Sequence, residues 1–201
     1  MPWNHKRVYR IYTQLNLNIR RKRRKRLPSR VKESLYQPES PNRVWSMDFM
    51  FDRLTNGRSF RTLNVLDDFN REVVNIVVDT SISSHRVARE LSQMFEWRGK
   101  PRTIRVDNGP EFLALKQWCE SNGIELKFIQ PAKPNQNAYI ERFNRTYRDE
   151  VLGAYLFDNL DQVRMETEKF IWKYNNIRPH DSLKNVTPRV FLLKCGKLPA
   201  A

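Results

Sequence analysis

Residues 44–79 read VWSMDFMFDRLTNGRSFRTLNVLDDFNREVVNIVVD, and this stretch decides the fold. Over residues 44–52, apolar and polar side chains alternate with the period of two that a β-strand requires. The pair Asn56-Gly57 is a strong hairpin signal, and a turn near Asn70 separates two further apolar runs. The three runs predict an antiparallel meander, in which Asp48 lies on the face of the first strand opposite its core face.

Helical and strand patterns alternate beyond the meander. Two more strands are predicted, TIRV and IELKFI. Apolar residues recur at helical spacing in four segments: residues 84–97, 111–122, 140–151 and 159–175, the last with Asp158 as a candidate cap. A right-handed crossover places the fourth strand beside the first and parallel to it. The order of the elements therefore predicts an α/β domain with a five-stranded mixed sheet flanked by helices.

Three carboxylates converge in this topology. Asp48 lies on the first strand, and Asp107 follows directly after the fourth strand, which is the neighbour of the first. Glu141 lies in the first turn of a later helix, just off its apolar stripe. With no His or Cys nearby, these acids form an oxygen-only site that suits Mg²⁺ or Mn²⁺. Two such ions, about 4 Å apart, would support in-line displacement at a phosphodiester.

Other acids compete for these roles. Asp67 and Asp68 end the second strand, which runs antiparallel to the first, so they are expected at the opposite end of the sheet from Asp107 as turn-forming residues. Glu111 remains open between a helix-start acid and a residue that supports the metal ligands. A pair of carboxylates also serves glycoside hydrolysis, but the strongly basic composition argues against a carbohydrate substrate.

Charge points to a nucleic acid partner. The chain has 37 Lys and Arg against 22 Asp and Glu, for a net charge of +15. A run near the N-terminus predicts an arm that lies on phosphates, with a merely solvated charge run as the alternative. This run comprises Arg20, Arg21, Lys22, Arg23, Arg24, Lys25 and Arg26. Arg145 and Arg148, on the helix of Glu141, are further candidate phosphate contacts beside the metal site, with a solvated helix face as the alternative.

The remaining composition bounds the setting of the protein. Cys119 and Cys195 stand apart, without a CxxC motif or a nearby His cluster, so neither a disulfide framework nor a zinc site is expected. No apolar stretch approaches the length needed to cross a bilayer, so no membrane partner is expected. These features predict a soluble protein of the reducing cytoplasm.

Four stretches resemble the transposases of bacterial insertion sequences that have two overlapping reading frames, as their second-frame product. They are WSMDFMFD, VDNGPEF, QPAKPNQNAYIERFNRTYRDEVL and YNNIRPHDSLKNVTP. Retroviral integrase belongs to the same wider superfamily, whose catalytic cores carry a DDE triad. The resemblance implies a ribonuclease-H-like fold, Asp48, Asp107 and Glu141 as ligands of Mg²⁺ or Mn²⁺, and Arg148 as a contact to the terminal DNA of the element.

The resemblance also implies what the protein does and with which partners. The expected activity is metal-dependent DNA strand cleavage and strand transfer. The expected partners are the terminal repeats, the target DNA, a first-frame transposase subunit and further copies of the chain on DNA. The expected organisation is a helical DNA-binding remnant with a basic arm and linker (1–40), an integrase catalytic core (41–157) and a helical extension (158–201). Because the chain is expected to begin inside the DNA-binding unit, the alternative is a truncated, non-catalytic DNA-binding fragment that inhibits transposition.

Overall fold

A computed structural model of the chain describes residues 4–17, 37–130 and 137–196. The chain divides into two compact units, residues 1–34 and residues 35–201. The first unit contains α1 (His5–Gln14), in which Asn4 caps the helix by accepting a hydrogen bond from the backbone N–H of Lys6. No residue of α1 is buried. The predicted basic arm, Arg20 to Arg26, lies outside the described residues.

The second unit is an α/β domain. Its strands are β1 (Val44–Arg53), β2 (Ser59–Asp67), β3 (Val73–Asp79), β4 (Thr103–Val106) and β5 (Glu125–Phe128). Its helices are α2 (Ser84–Arg98), α3 (Pro110–Leu113), α4 (Lys116–Ser121), α5 (Ala138–Tyr147), α6 (Leu160–Asn176) and α7 (Pro188–Lys194). A π-helical turn (Arg148–Leu152) continues α5, and a 3₁₀ turn (Asp181–Leu183) precedes α7.

The sheet has the order β3-β2-β1-β4-β5. The first three strands form the predicted meander, because β1 pairs antiparallel with β2 and β2 with β3. β4 lies parallel to β1, and β5 lies parallel to β4. This arrangement confirms the predicted five-stranded mixed sheet, and it places the strand that carries Asp48 next to the strand that leads into Asp107.

Both faces of the sheet are covered. One apolar cluster joins Trp45 and Met47 of β1 to α2, α3 and α4. A second cluster joins Met50 of the same strand to Phe143 of α5 and to α6. The prediction that Asp48 lies opposite the core face was therefore wrong in one respect, because the Asp48 face is a second core face that α5 covers.

Two local predictions about helices need correction. The segment 111–122 forms two short helices, α3 and α4, because the chain turns at residues 114–115 between them. The cap of α6 is Asn159, whose side chain accepts from the backbone N–H of Gln162. Asp158 instead accepts a hydrogen bond from the hydroxyl of Thr55, 2.8 Å away. An acceptor one residue too early cannot reach the first free N–H groups of the helix.

The rival acids Asp67 and Asp68 are buried at the end of β2, beside the beginning of β1. Asp67 accepts hydrogen bonds from the backbone N–H groups of Asn42 and Phe69. Asp68 accepts from the hydroxyl of Ser46 at 2.7 Å. The predicted location at the opposite end of the sheet from Asp107 is confirmed, and Asp67 binds the turn as expected. Asp68 instead pairs with Arg105, so it was wrong to expect a turn-forming side chain there.

Candidate active site

Asp48 lies within β1, and its partly buried carboxylate faces α5. One oxygen accepts a hydrogen bond from the backbone N–H of Phe49 at 2.9 Å. The other accepts from the Nδ2 group of Asn144 on α5, at 2.7 Å. Both oxygens are thus held by neighbouring groups, so strand and helix together fix the orientation of this acid.

Asp107 follows the last residue of β4, at the end of the strand. Its Oδ1 accepts from the backbone N–H of Gly109 at 3.0 Å. The side chain of Asn108 donates to the carbonyl of Ile129 at 3.2 Å, which ties the turn to the end of β5. A Cβ atom added at Gly109 would lie 3.0 Å from Oδ1 of Asp107. The absence of a side chain at Gly109 therefore allows this close approach, and its backbone is not in a strained conformation.

Glu141 lies in the first turn of α5, with its side chain exposed. The buried stripe of this helix is Ile140, Phe143 and Tyr147, so Glu141 lies off the stripe as predicted. Asn137 occupies the N-cap position of this helix without making a side-chain capping hydrogen bond.

The three acids share one electrostatic neighbourhood. Burial raises the pKa of Asp48 to about 6, and the negative charges of Asp107 and Glu141 add to that rise. The hydrogen bonds from Phe49 and Asn144 act in the opposite direction. Topology therefore brings together acids that are far apart in the sequence, at the end of the parallel strand pair.

The donor chemistry fits a divalent cation. The cluster presents carboxylate oxygens, which Mg²⁺ and Mn²⁺ prefer, and a cation would relieve the mutual repulsion of the acids. Among residues 4–17, 37–130 and 137–196, however, no three His, Cys, Asp or Glu side chains are grouped tightly enough to hold a metal ion as they stand. Metal binding at this cluster would therefore have to draw the acids closer together.

Two amides beside Asp48 were missed by the sequence reasoning. Asn144 lies one helical turn after Glu141, and its Oδ1 accepts a hydrogen bond from Nδ2 of Asn64 at 2.7 Å. Asn64 lies on β2 directly opposite Asp48 in the antiparallel ladder. The available signal was the spacing of three between Glu141 and Asn144, which places both residues on neighbouring positions of one helix.

The predicted phosphate contacts differ in their surroundings. Arg145 is exposed. Arg148 begins the π-helical turn, and its guanidinium donates to the carboxylate of Asp52 and to the carbonyl of Phe51, both at 2.8 Å. Arg148 therefore braces α5 against the end of β1, on the side of the domain that carries the acids.

Glu111, which the sequence left open, is paired with a cation. Its carboxylate lies 2.6 Å from the guanidinium of Arg61 on β2. The backbone N–H of Glu111 and the side chain of Arg61 hold the pKa of this carboxyl below its usual range. This ion pair favours the interpretation that Glu111 supports the candidate metal ligands over the alternative that it is only a helix-start acid.

Comparisons with known proteins decide the family. Two models described as integrase core domain match residues 38–134 and 122–188. A 31.7 kDa protein of insertion element IS407 from Burkholderia multivorans is 46% identical over 95% of this chain and 70% of its own length. The chain belongs to the insertion-element transposases of the retroviral integrase superfamily. A 39.2 kDa protein of insertion element IS476 from Xanthomonas euvesicatoria is 44% identical over 94% of this transposase chain, which spans only 55% of that relative.

Solved structures place the transposase fold among retroviral integrases. The catalytic core domain of HTLV-2 integrase in complex with magnesium, in a trimeric form, has a TM-score of 0.62 at 21% identity. That match covers 77% of this chain and 99% of the viral domain. The catalytic core of BIV integrase has a TM-score of 0.59 at 19% identity, over 77% of this chain and 96% of that one. The ribonuclease-H-like fold that was predicted is confirmed.

The described helices also bear on membranes. Within the part of the transposase that the structure describes, none of them combines the length and the apolar character needed to cross a bilayer.

Proposed function

We propose that this transposase is a polynucleotidyl transferase that cleaves DNA strands at the ends of its insertion element and joins them to target DNA. The observation that carries the proposal is the convergence of Asp48, Asp107 and Glu141 at one end of the parallel strand pair, where burial and, to a smaller extent, the charges of Asp107 and Glu141 raise the pKa of Asp48. A family with integrase cores supplies the reaction class, and the acid cluster supplies the site.

Asp48, Asp107 and Glu141 would hold the Mg²⁺ or Mn²⁺ ions, two for in-line displacement. When bound, such ions polarise the scissile phosphodiester and lower the pKa of a coordinated oxygen nucleophile. The protein supplies orientation, because Asn144 and the backbone of Phe49 fix the Asp48 carboxylate and the Gly109 N–H fixes that of Asp107. Water serves as nucleophile in cleavage, and a DNA 3′-hydroxyl serves in joining.

Basic side chains would hold the DNA. Arg145 is exposed on the helix of Glu141, and Arg148 lies further along the same segment. Arg148 contacts Asp52 and Phe51, so its phosphate contact would either share or replace the ion pair with Asp52. The basic run is proposed to bind phosphates along the duplex. Binding would release counterions, so the affinity should fall with added salt. It consists of Arg20, Arg21, Lys22, Arg23, Arg24, Lys25 and Arg26.

Strand cleavage by amide variants tests the chemistry. The purified chain is incubated with Mn²⁺ and a labelled duplex that ends in the terminal repeat of its own element. Asp48→Asn, Asp107→Asn and Glu141→Gln should each reduce cleavage by at least a hundredfold, because each removes a carboxylate charge from the cluster. Retention of the duplex in gel shifts should stay within about threefold of the unaltered chain, since the amides leave phosphate contacts in place.

A matched control separates this effect from general charge removal. Glu168→Gln replaces an exposed helical glutamate on α6 and should leave cleavage unchanged. Full cleavage in any of the three amide variants would exclude that residue from the site. Binding of the duplex with no cleavage by the unaltered chain, in either Mn²⁺ or Mg²⁺, would refute the enzymatic proposal.

Partners and location complete the proposal. The HTLV-2 core has been solved in a trimeric and a dimeric form, and a simian T-cell lymphotropic virus intasome is another structural neighbour. We propose that this chain likewise forms homo-oligomers on DNA, cooperates with a first-frame subunit that recognises terminal repeats, and acts at the bacterial nucleoid in the cytoplasm. Mass photometry of the chain with and without end DNA should show a DNA-dependent increase in mass, and a monomer under both conditions would refute assembly.

A further inference from the structure

We propose that Arg61 is a positioning residue for the metal site, acting through Glu111 on the turn that carries Asp107. This inference rests on the proposed function, because it concerns the same acids. Arg61 lies on β2, outside the sequence motifs around Asp48, Asp107 and Glu141. Those motifs therefore do not indicate that it has a role. Arg61 is connected to the strand of Asp48 and to the turn of Asp107 by a stack of aromatic rings and by its ion pair with Glu111.

The guanidinium of Arg61 is held by three groups. Its central carbon lies 4.3 Å from the ring centroid of Phe49 and 4.7 Å from that of Phe51. Glu111 pairs with it at 2.6 Å, and only 19% of the Arg61 side chain is exposed. A partly desolvated cation over aromatic rings gains more from each contact than an exposed one. Arg61 is therefore fixed in place by its surroundings.

One end of this stack is attached to the strand of Asp48. Phe49 follows Asp48 directly in β1, and the alternation of a strand sends its ring to the opposite face of the sheet from the acid. The ring of Phe49 stacks on that of Phe112, with centroids 5.0 Å apart and planes inclined by 23°. Contact between Arg61 and Phe49 thus bears on the backbone that presents the first acid.

The other end is attached to the turn of Asp107. Glu111 and Phe112 both lie in α3, which begins at Pro110, directly after Gly109. A Cβ added at Gly109 would meet Oδ1 of Asp107 at 3.0 Å and Oε2 of Glu111 at 3.5 Å, so the two carboxylates flank the same small residue. Glu111 faces the Asp107 turn with one oxygen and Arg61 with the other.

These contacts give Arg61 a role in positioning the Asp107 turn. Arg61 pairs with Glu111 and so fixes this fourth carboxylate beside the Asp107 turn. Through the same ion pair and the Phe49–Phe112 stack, it holds the Asp107 turn against β1. The distance between Asp48 and Asp107, and hence the affinity of the site for a divalent cation, depends on that brace. Loss of an outer partner of a metal ligand typically costs 10- to 100-fold in metal affinity.

The experiment measures Mn²⁺ binding and cleavage in parallel. Free Mn²⁺ is titrated by electron paramagnetic resonance against the DNA-free chain, and the Mn²⁺ dependence of end cleavage is measured separately. Arg61→Gln and Glu111→Gln should each weaken Mn²⁺ binding and raise the half-saturating Mn²⁺ concentration by roughly tenfold. The rate at saturating Mn²⁺ should fall by less than about threefold, because no ligand is removed.

Two further variants show that the residues act together. The double variant should be no weaker than either single variant, because residues in one network are not additive. Arg61→Lys keeps the charge but not the planar contact with the rings, so it should recover part of the affinity. Glu166→Gln, which breaks the 2.7 Å ion pair with Lys169 on α6, is the control and should change nothing.

Three results would overturn the inference: unchanged Mn²⁺ affinity in Arg61→Gln and Glu111→Gln, additive losses in the double variant, or an equal loss in the control. If Arg61→Gln fails to fold, as thermal unfolding would reveal, Glu111→Gln carries the test because it preserves size and shape. The two hypotheses remain distinguishable. Absence of cleavage by the unaltered chain refutes the proposed function, whereas the DNA-free Mn²⁺ titration still decides the role of Arg61.

Discussion

Replacement of His180 by Phe should remove an acid-sensitive component of stability. The imidazole packs edge-on against Tyr174 with ring centroids 4.7 Å apart, and its Nε2 is buried without a hydrogen-bond partner among the described residues. Burial lowers the pKa of His180 to about 4, and the charges of Arg178, Arg142 and Arg71 act in the same direction. The folded chain therefore resists protonation of a ring that the unfolded chain protonates readily.

The sign and size of the effect follow from linkage. A histidine with a depressed pKa contributes stability that is complete above the unfolded value of about 6.5 and is lost as pH falls toward the folded value. The full shift corresponds to about 2 kcal/mol lost by pH 5, relative to a chain without this group. Since His180 is only partly buried, solvent screening reduces the expected loss to about 1 kcal/mol.

Urea denaturation at pH 7.5 and pH 5, in the presence of a chelator, measures this loss. Phe preserves the ring contact with Tyr174 but loses the hydrogen bond to its backbone, so the change in unfolding free energy between the two pH values is compared rather than its value at pH 7.5. Between pH 7.5 and pH 5, the His180→Phe variant should lose about 1 kcal/mol less of its unfolding free energy than the unaltered chain. The buried carboxyls titrate equally in both proteins and cancel in the comparison. Parallel pH profiles for the two chains would refute the reasoning.

Three further substitutions address the site and the frame around it. Gly109→Ala adds a Cβ 3.0 Å from the Asp107 carboxylate at an ordinary backbone conformation, so cleavage should fall at least tenfold while urea midpoints stay unchanged; normal cleavage would contradict it. Arg98→Gln leaves two carboxylates of a buried ion-pair network uncompensated and should cost about 3–5 kcal/mol in urea denaturation. A loss below about 1 kcal/mol would argue against that account. Asn144→Ala removes the side-chain donor to the strand acid and should raise the half-saturating Mn²⁺ for cleavage by roughly tenfold, whereas unaltered metal dependence would show that the bond is dispensable.

Much of the fold could be predicted because its determinants are local. Alternation in β1, the Asn56-Gly57 turn and the apolar stripes of the helices each act over a few residues, and the right-handed crossover converts their order into a topology. The same reasoning placed Asp107 beside the strand of Asp48 and placed Glu141 off the buried stripe of α5. Local patterns and the crossover rule were therefore enough to predict that these three acids lie near one another.

The details that were not predicted depend on the register of paired strands or on which side-chain atom can reach a hydrogen-bond partner. Asn64 lies opposite Asp48 only because five residues, 54–58, separate the paired ends of β1 and β2, and the turn signal alone does not fix that length. Asn159 rather than Asp158 caps α6, because both side chains are acceptors and the backbone path selects one. Arg61 approaches Glu111 only after β2 and α3 have been assembled on the same face of the sheet.

Charged residues at the two ends of the β1–β4 pair have different effects on the domain. Ion pairs and backbone N–H groups hold Asp67 and Asp68 near the beginning of β1, whereas the acids near the end of β4 repel one another. Under the proposed function, an amide substitution at the repulsive end would therefore remove catalytic chemistry without weakening the fold. On the same proposal, copies of the element that lost activity in this way would still produce folded protein that retains DNA and competes with active copies for the terminal repeats. Decay of such an element would then suppress its own surviving relatives.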